Sequence, residues 1–185
     1  MLIANATQQM ALFGLMTYFA AHMMESYDWD EASTAPGLAL LGVGAVIGSF
    51  AGGFIAGRAR RLDWLAAISL AGGVVAGLLF ALGASAWIVV AMAFVASVLV
   101  SVSMPVMLTL IMHLAGQSRG TAGGMLSPSN QFGSLVGASA GGLMLSLGGY
   151  PTVGLLCLVA TVLSASVVGL RMRRSPELLL GGAGT

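Results

Sequence analysis

Charge is the scarcest thing in this chain. Its 185 residues carry seven basic and six acidic side chains, 7% in all, against 58% hydrophobic. A soluble domain carries about 25% charged residues. So few charges cannot solvate a globule of this size, and the composition makes lipid the solvent. A single cysteine, Cys157, excludes an internal disulfide and a cysteine-ligated metal cluster. No Asp, Glu, Lys or Arg falls deep inside an apolar run. That removes a buried carboxylate for proton coupling and an intramembrane counter-ion from what this chain offers by itself. There is no phosphate-binding loop, no metal-ligand spacing and no basic surface for nucleic acid. The sequence therefore predicts no cofactor, no metal and no nucleic-acid partner.

What is present is a series of apolar runs. Six of them, at about 3–24, 36–57, 63–83, 86–113, 120–147 and 151–171, are each long enough for a spanning helix, which needs about 20 residues. They predict one transmembrane domain over about 1–175 and a short cytoplasmic tail over 176–185. Arg58, Arg60 and Arg61 lie between the second and third runs, Arg119 between the fourth and fifth, and Arg171, Arg173 and Arg174 after the sixth. In a six-helix chain all these segments share one side. Glu25, Asp28, Asp30 and Glu31 fall on the other. The positive-inside rule makes the arginine side cytoplasmic, with both termini on the cytoplasmic side of the inner membrane.

The runs also echo one another. GSFAGGFI at 48–55 and GASAGGLM at 137–144 sit in the second helix of each three-helix set, in opposite orientation. This predicts an all-α membrane protein built as a 3+3 inverted repeat. Chance likeness between glycine-rich helices is the competing account. Gly44, Gly48 and Gly52 recur every four residues, as do Gly133, Gly137 and Gly141. That spacing places each set on one helix face, where a neighbour can approach closely, either as static packing or as a surface for sliding.

Polar side chains at membrane depth are the candidates for function. Asn130 and Gln131 lie about 15 Å into the fifth helix, where amides are costly without partners or water. Ser127, Gln131 and Ser134 share a face. The first helix adds Asn5, Gln8, Gln9 and Tyr18, and the fourth adds Ser97, Ser101 and Ser103. The third has only Ser69 in its interior and reads as a brace against lipid. A substrate cavity is therefore expected from Ser127, Asn130, Gln131 and Ser134, with Gln8, Gln9 and Tyr18 opposite. Pro105 and Pro128 each remove a helical hydrogen bond close to these groups. Catalysis is not expected. GASAG at 137–141 matches a nucleophile pattern, but no histidine follows Ser139 to serve as its base. His22, near the outer boundary, reads as a solvated interfacial residue.

The stretch GFIAGRARRLDWL resembles the basic loop of the major facilitator superfamily. Gly53, Arg58, Arg61 and Leu65 align with that signature, while Gly57 stands where the family has Asp and Arg60 where it has Gly. Residues 118–145, followed by GGYPTVGLL, are similar to the eleventh helix and the turn into the twelfth in bacterial efflux-type members. The resemblance implies that this chain is the C-terminal half, helices seven to twelve, of a secondary transporter. It implies alternating access for a small organic solute or drug, a lipid bilayer around it, and an N-terminal six-helix half as partner. That partner is in the same longer chain, in a separate chain, or in a second copy. Helices seven, eight, ten and eleven of the family face the cavity, and nine and twelve stand outside. The resemblance also implies a gating role for Gly53, Arg58, Arg61 and Asp63, although topological anchoring alone accounts for the arginines. Two readings of origin follow, a fragment of a longer protein or a natural half-protein. The alternative function is a non-transporting membrane interaction module or an inactive fragment.

Overall fold

The computed structural model describes residues 2–57, 61–115 and 118–174, and no strand occurs among them. Seven helices follow one another: α1 (Leu2–Tyr27), α2 (Glu31–Ala56), α3 (Arg61–Ala81), α4 (Ala86–Ser101), α5 (Ser103–Ala115), α6 (Arg119–Gly148) and α7 (Tyr150–Arg174). The polar stretch after α1 is shorter as a linker than its composition suggests. Asp30 caps α2, accepting a 2.8 Å hydrogen bond from the Ser33 N–H. With that cap the helix starts at Glu31, and Pro36 sits inside it near its start. Hydrogen bonds from the Ser33 side chain and backbone hold the Asp30 carboxyl below its usual range.

The run at 86–113 divides in two. α4 ends at Ser101, and α5 begins two residues later. Pro105 has no N–H for the carbonyl of Ser101, four residues earlier, and its ring crowds that carbonyl. Ser103 helps cap the break, donating from Oγ to the Val100 carbonyl at 2.7 Å. Pro128, by contrast, is carried within an unbroken α6.

Among the described residues four segments are long and apolar enough to cross a membrane: Glu31–Ala56, Asp63–Ala81, Ala86–His113 and Tyr150–Leu170. α1 and α6 are as long, but their amides, hydroxyls and glycines dilute them below that level. α1 is the hub and packs against every other helix. The most extensive pairings are α3 with α7, α1 with α6 and α1 with α7, followed by α2 with α4.

Two apolar cores lie along the bundle axis. One gathers Leu15, Phe19 and Met23 of α1 with Leu79, Phe80, Val89 and Cys157. The other gathers Ala4 with Leu65, Val106, Met107, Leu110 and Val168. The segments of α1, α3, α4 and α7 between these cores carry buried polar residues: Gln8, Ser69, Ser97, Ser101, Thr161 and Ser164. A polar layer thus crosses the interior between two apolar ones.

Candidate functional site

The contact between α1 and α6 concentrates the polar chemistry. Glycine makes it close. A Cβ added to Gly137 would lie 2.5 Å from the Met10 carbonyl oxygen, and one on Gly133 would overlap the Ala6 carbonyl. Gly141 supports the ring of Tyr18 in the same way. With the backbones this near, short side chains bridge them. Asn5 Nδ2 donates to Asn130 Oδ1 at 2.5 Å and to Ser129 Oγ at 3.3 Å. Ser129 Oγ donates to the Leu2 carbonyl at 2.9 Å. Tyr18 donates its hydroxyl to the Ala138 carbonyl. The pairing is tied at both ends.

The other glycine ladder meets α4 and the break after it. Gly44 lies against Phe94, Gly48 against Val98 and Ser101, and Gly52 against Val102 and Pro105. Ser97 Oγ donates across the same contact to the Leu41 carbonyl at 2.7 Å.

The expected cavity residues divide between two environments. Gln8 is 2% exposed and Gln9 is also buried. Gln8 Nε2 donates to the Val100 carbonyl at 3.4 Å, and Gln8 Oε1 has no partner. Gln8 therefore faces the broken fourth span, inside the polar layer. Ser127 and Gln131 are exposed, while Asn130 and Ser134 are half-buried. Ser134 Oγ donates back to the carbonyls of Asn130 and Gln131, at 2.9 and 3.1 Å. Asn130 is the member that joins the two environments, through Asn5. Tyr18 lies farther along the same contact, over Gly141. Two partners, Asn5 and Ser129, were not among the expected cavity residues. Asn5 was legible as an amide one helical turn from Gln8 and Gln9, but its partner across the chain was not.

Beside the α1–α6 contact runs an apolar groove of about 460 Å³, walled by Ile3, Ala6, Met10, Met125, Phe132 and Val136. Among the described residues no group of three His, Cys, Asp or Glu gathers as metal ligands. The arrangement offers amide and hydroxyl hydrogen bonds next to apolar surface.

Near the C-terminal end of α2, Gly53 is exposed, with open space where a Cβ would stand. Arg58 lies outside the described residues, and so does the side chain of Arg61, which opens α3. Asp63 is half-buried in the first turn of α3. His22 departs from expectation: it is 6% exposed, packed among aromatic rings rather than solvated.

A family model described as the Major Facilitator Superfamily matches residues 1–183. No curated protein and no solved structure matches the chain.

Proposed function

We propose, on the premise that this chain belongs to the Major Facilitator Superfamily, that it forms one wall of an alternating-access transporter. The family makes membrane transport the general activity, and with the apolar helices it makes the chain a multi-pass membrane protein rather than an enzyme. Within that frame the chain acts as a C-terminal half. Its six crossings are α1, α2, α3, the broken α4–α5, α6 and α7, and the cargo is a small organic solute or drug moved outward. The arginine-bearing ends lie on the cytoplasmic side of the inner membrane. A second six-helix half supplies the opposite wall.

One observation carries this reading. The two long helices too polar to meet the apolar criterion, α1 and α6, are packed on each other, and α6 leaves Ser127 and Gln131 uncovered. A bundle meant only to fill lipid has no reason to pair its polar helices and then expose an amide at mid-depth. A water-filled path between two halves gives that amide its solvent. The pairing pattern supports an inverted repeat. α1 packs on α6 as α4–α5 packs on α2, α3 packs on α7, and each of the first two contacts runs over a glycine ladder. Exchanging the two three-helix sets maps each pairing onto its counterpart. Rocking of this six-helix half against its partner half alternates access to a site between them.

The test is cysteine labelling. Gln131→Cys in a Cys157→Ser background is exposed to a small membrane-impermeant thiol reagent in vesicles of both orientations. Labelling from at least one side is expected. If the reagent reaches it from neither side, the cavity reading is wrong.

A further inference from the structure

At the end of the bundle where α1 and α3 finish and α7 begins, His22 stands inside a box of aromatic rings. Its ring centroid is 4.5 Å from that of Tyr150, 5.4 Å from Phe80 and 5.5 Å from Tyr27. Nδ1 lies 3.0 Å from Ser26 Oγ, while Nε2 is buried without a partner. Two hydrogen bonds fasten the box. Tyr27 donates to the Ala84 carbonyl at 2.6 Å, tying α1 to the turn after α3. Tyr150 donates to Glu25 Oε2 at 2.8 Å, tying α7 to α1. A cavity of about 390 Å³ opens beside it, lined by His22, Ser26, Tyr27, Phe80, Tyr150 and Pro151 among others.

We propose that His22 is a proton-binding site and that the box is a clasp released when His22 takes a proton. A neutral imidazole fits the box, because one nitrogen has Ser26 and the other presents only a bare lone pair. Protonation turns that second nitrogen into a charged N–H donor with no acceptor in reach of the closed arrangement. Around the ring, α1 supplies Glu25 and Tyr27, α7 supplies Tyr150, and α3 supplies only the apolar Phe80. Among the described residues Glu25 is the carboxylate that the box engages, three residues along the same helix, and it already accepts from Tyr150. The imidazolium is therefore satisfied by drawing Glu25 off Tyr150 or by admitting water, and either step parts α1 from α7. The sign follows: the closed form binds fewer protons than the open form, so closure holds at higher pH and is lost as pH falls. This inference stands on the box alone and does not depend on whether the chain moves a solute.

The experiment uses the full chain in lipid nanodiscs, with Ala84→Cys as reporter in a Cys157→Ser background. Its maleimide labelling rate is divided by that of exposed Ala32→Cys, which cancels the thiolate fraction. Histidine-selective 15N labelling follows His22 directly, since the chain has only two histidines. As pH falls from 8 to 5 the ratio should rise together with the His22 transition, approaching about tenfold per pH unit, the slope of one-proton linkage. His22→Phe, which refills the box, should flatten the response. Should that variant not fold, Glu25→Gln serves: removing the acceptor for the imidazolium should move the transition to lower pH. A flat ratio in the unsubstituted chain, an unchanged pH response in His22→Phe, or an unmoved transition in Glu25→Gln overturns the proposal.

Discussion

Among the helix pairs that touch through glycine, α3–α7 and α1–α6 differ most in what glycine brings together. Between α3 and α7, Gly154 meets the Gly77 backbone and Gly73 lies under Thr161. Thr161 spends its hydroxyl on its own helix, donating to Cys157 and Leu158 carbonyls at 3.1 and 2.8 Å. Both helices meet the apolar criterion for crossing a membrane. Between α1 and α6 the backbones come as near, but there the gap is bridged by Asn5, Asn130, Ser129 and Tyr18. The first pair is a dispersion contact that has only to stay shut. The second holds its partner with directional bonds, which can be broken and remade one at a time. That is the property a moving wall needs, and on the proposed alternating-access function it accounts for polar residues concentrated on one pairing.

The largest expected effect tests closeness itself. An added Cβ at Gly154 would sit 2.7 Å from the Gly77 oxygen, whereas one at Gly77 would rest at an ordinary 3.5 Å from the Gly154 oxygen. Gly154→Ala should therefore cost at the top of the usual overpacking range, about 1–3 kcal/mol. Gly77→Ala, the same exchange seen from the other helix, should cost little. On the polar pair, Gly137→Ala strikes the Met10 carbonyl, so the same range is expected there. Unfolding in mixed detergent micelles measures all three. Equal losses at Gly77 and Gly154 would break the geometric account of both pairs.

Much of this contrast was readable in the sequence, and its limits have physical reasons. The run lengths, the glycine spacing and the crowding of amides into the first and fifth runs follow from periodicity and solvation, which are local. The division of the fourth run was half legible: Pro105 marked the trouble, but its effect falls at Ser101–Ser103, because proline disturbs the carbonyl four residues back. The start of α2 was hidden because Asp30 and Ser33 look like linker residues until they cap a helix. Partners across the chain were not legible. Asn5 and Asn130 are 125 residues apart. Nothing in the pattern told Gln8, which turns inward to Val100, from Gln131, which turns out. His22 was misread for the same reason: a boundary position does not reveal three aromatic rings from three helices.

A smaller effect is expected from the Asn5–Asn130 bond. Interhelical hydrogen bonds in membranes average about 0.6 kcal/mol and reach about 1.7. Asn5→Leu should sit within that span. Asn130→Leu should cost less, since Asn5 keeps Ser129 at 3.3 Å. The double variant should cost less than the sum of the singles, because no amide is then left half-satisfied. A double-mutant cycle on unfolding free energies measures the coupling. Additivity would mean that the two amides, despite their 2.5 Å contact, act independently. The polar pair would then differ from α3–α7 in composition only.

The smallest stability effect, and the sharpest separation of roles, belongs to the exposed positions. Gln131 on α6 and Leu155 on α7 both face outward, Leu155 with 56% of its surface exposed. If both faced lipid, exchanging their chemistries would have opposite signs: Gln131→Leu would stabilise and Leu155→Gln would destabilise. With Gln131 on a water path, Gln131→Leu should instead change stability by no more than about 0.5 kcal/mol. Leu155→Gln should still lose stability, because its amide enters hydrocarbon without a partner. Unfolding of both variants in the same bilayer-mimetic micelle decides between these outcomes. A clear gain from Gln131→Leu would put α6 against lipid and dissolve the distinction between a wall that moves and a brace that stays.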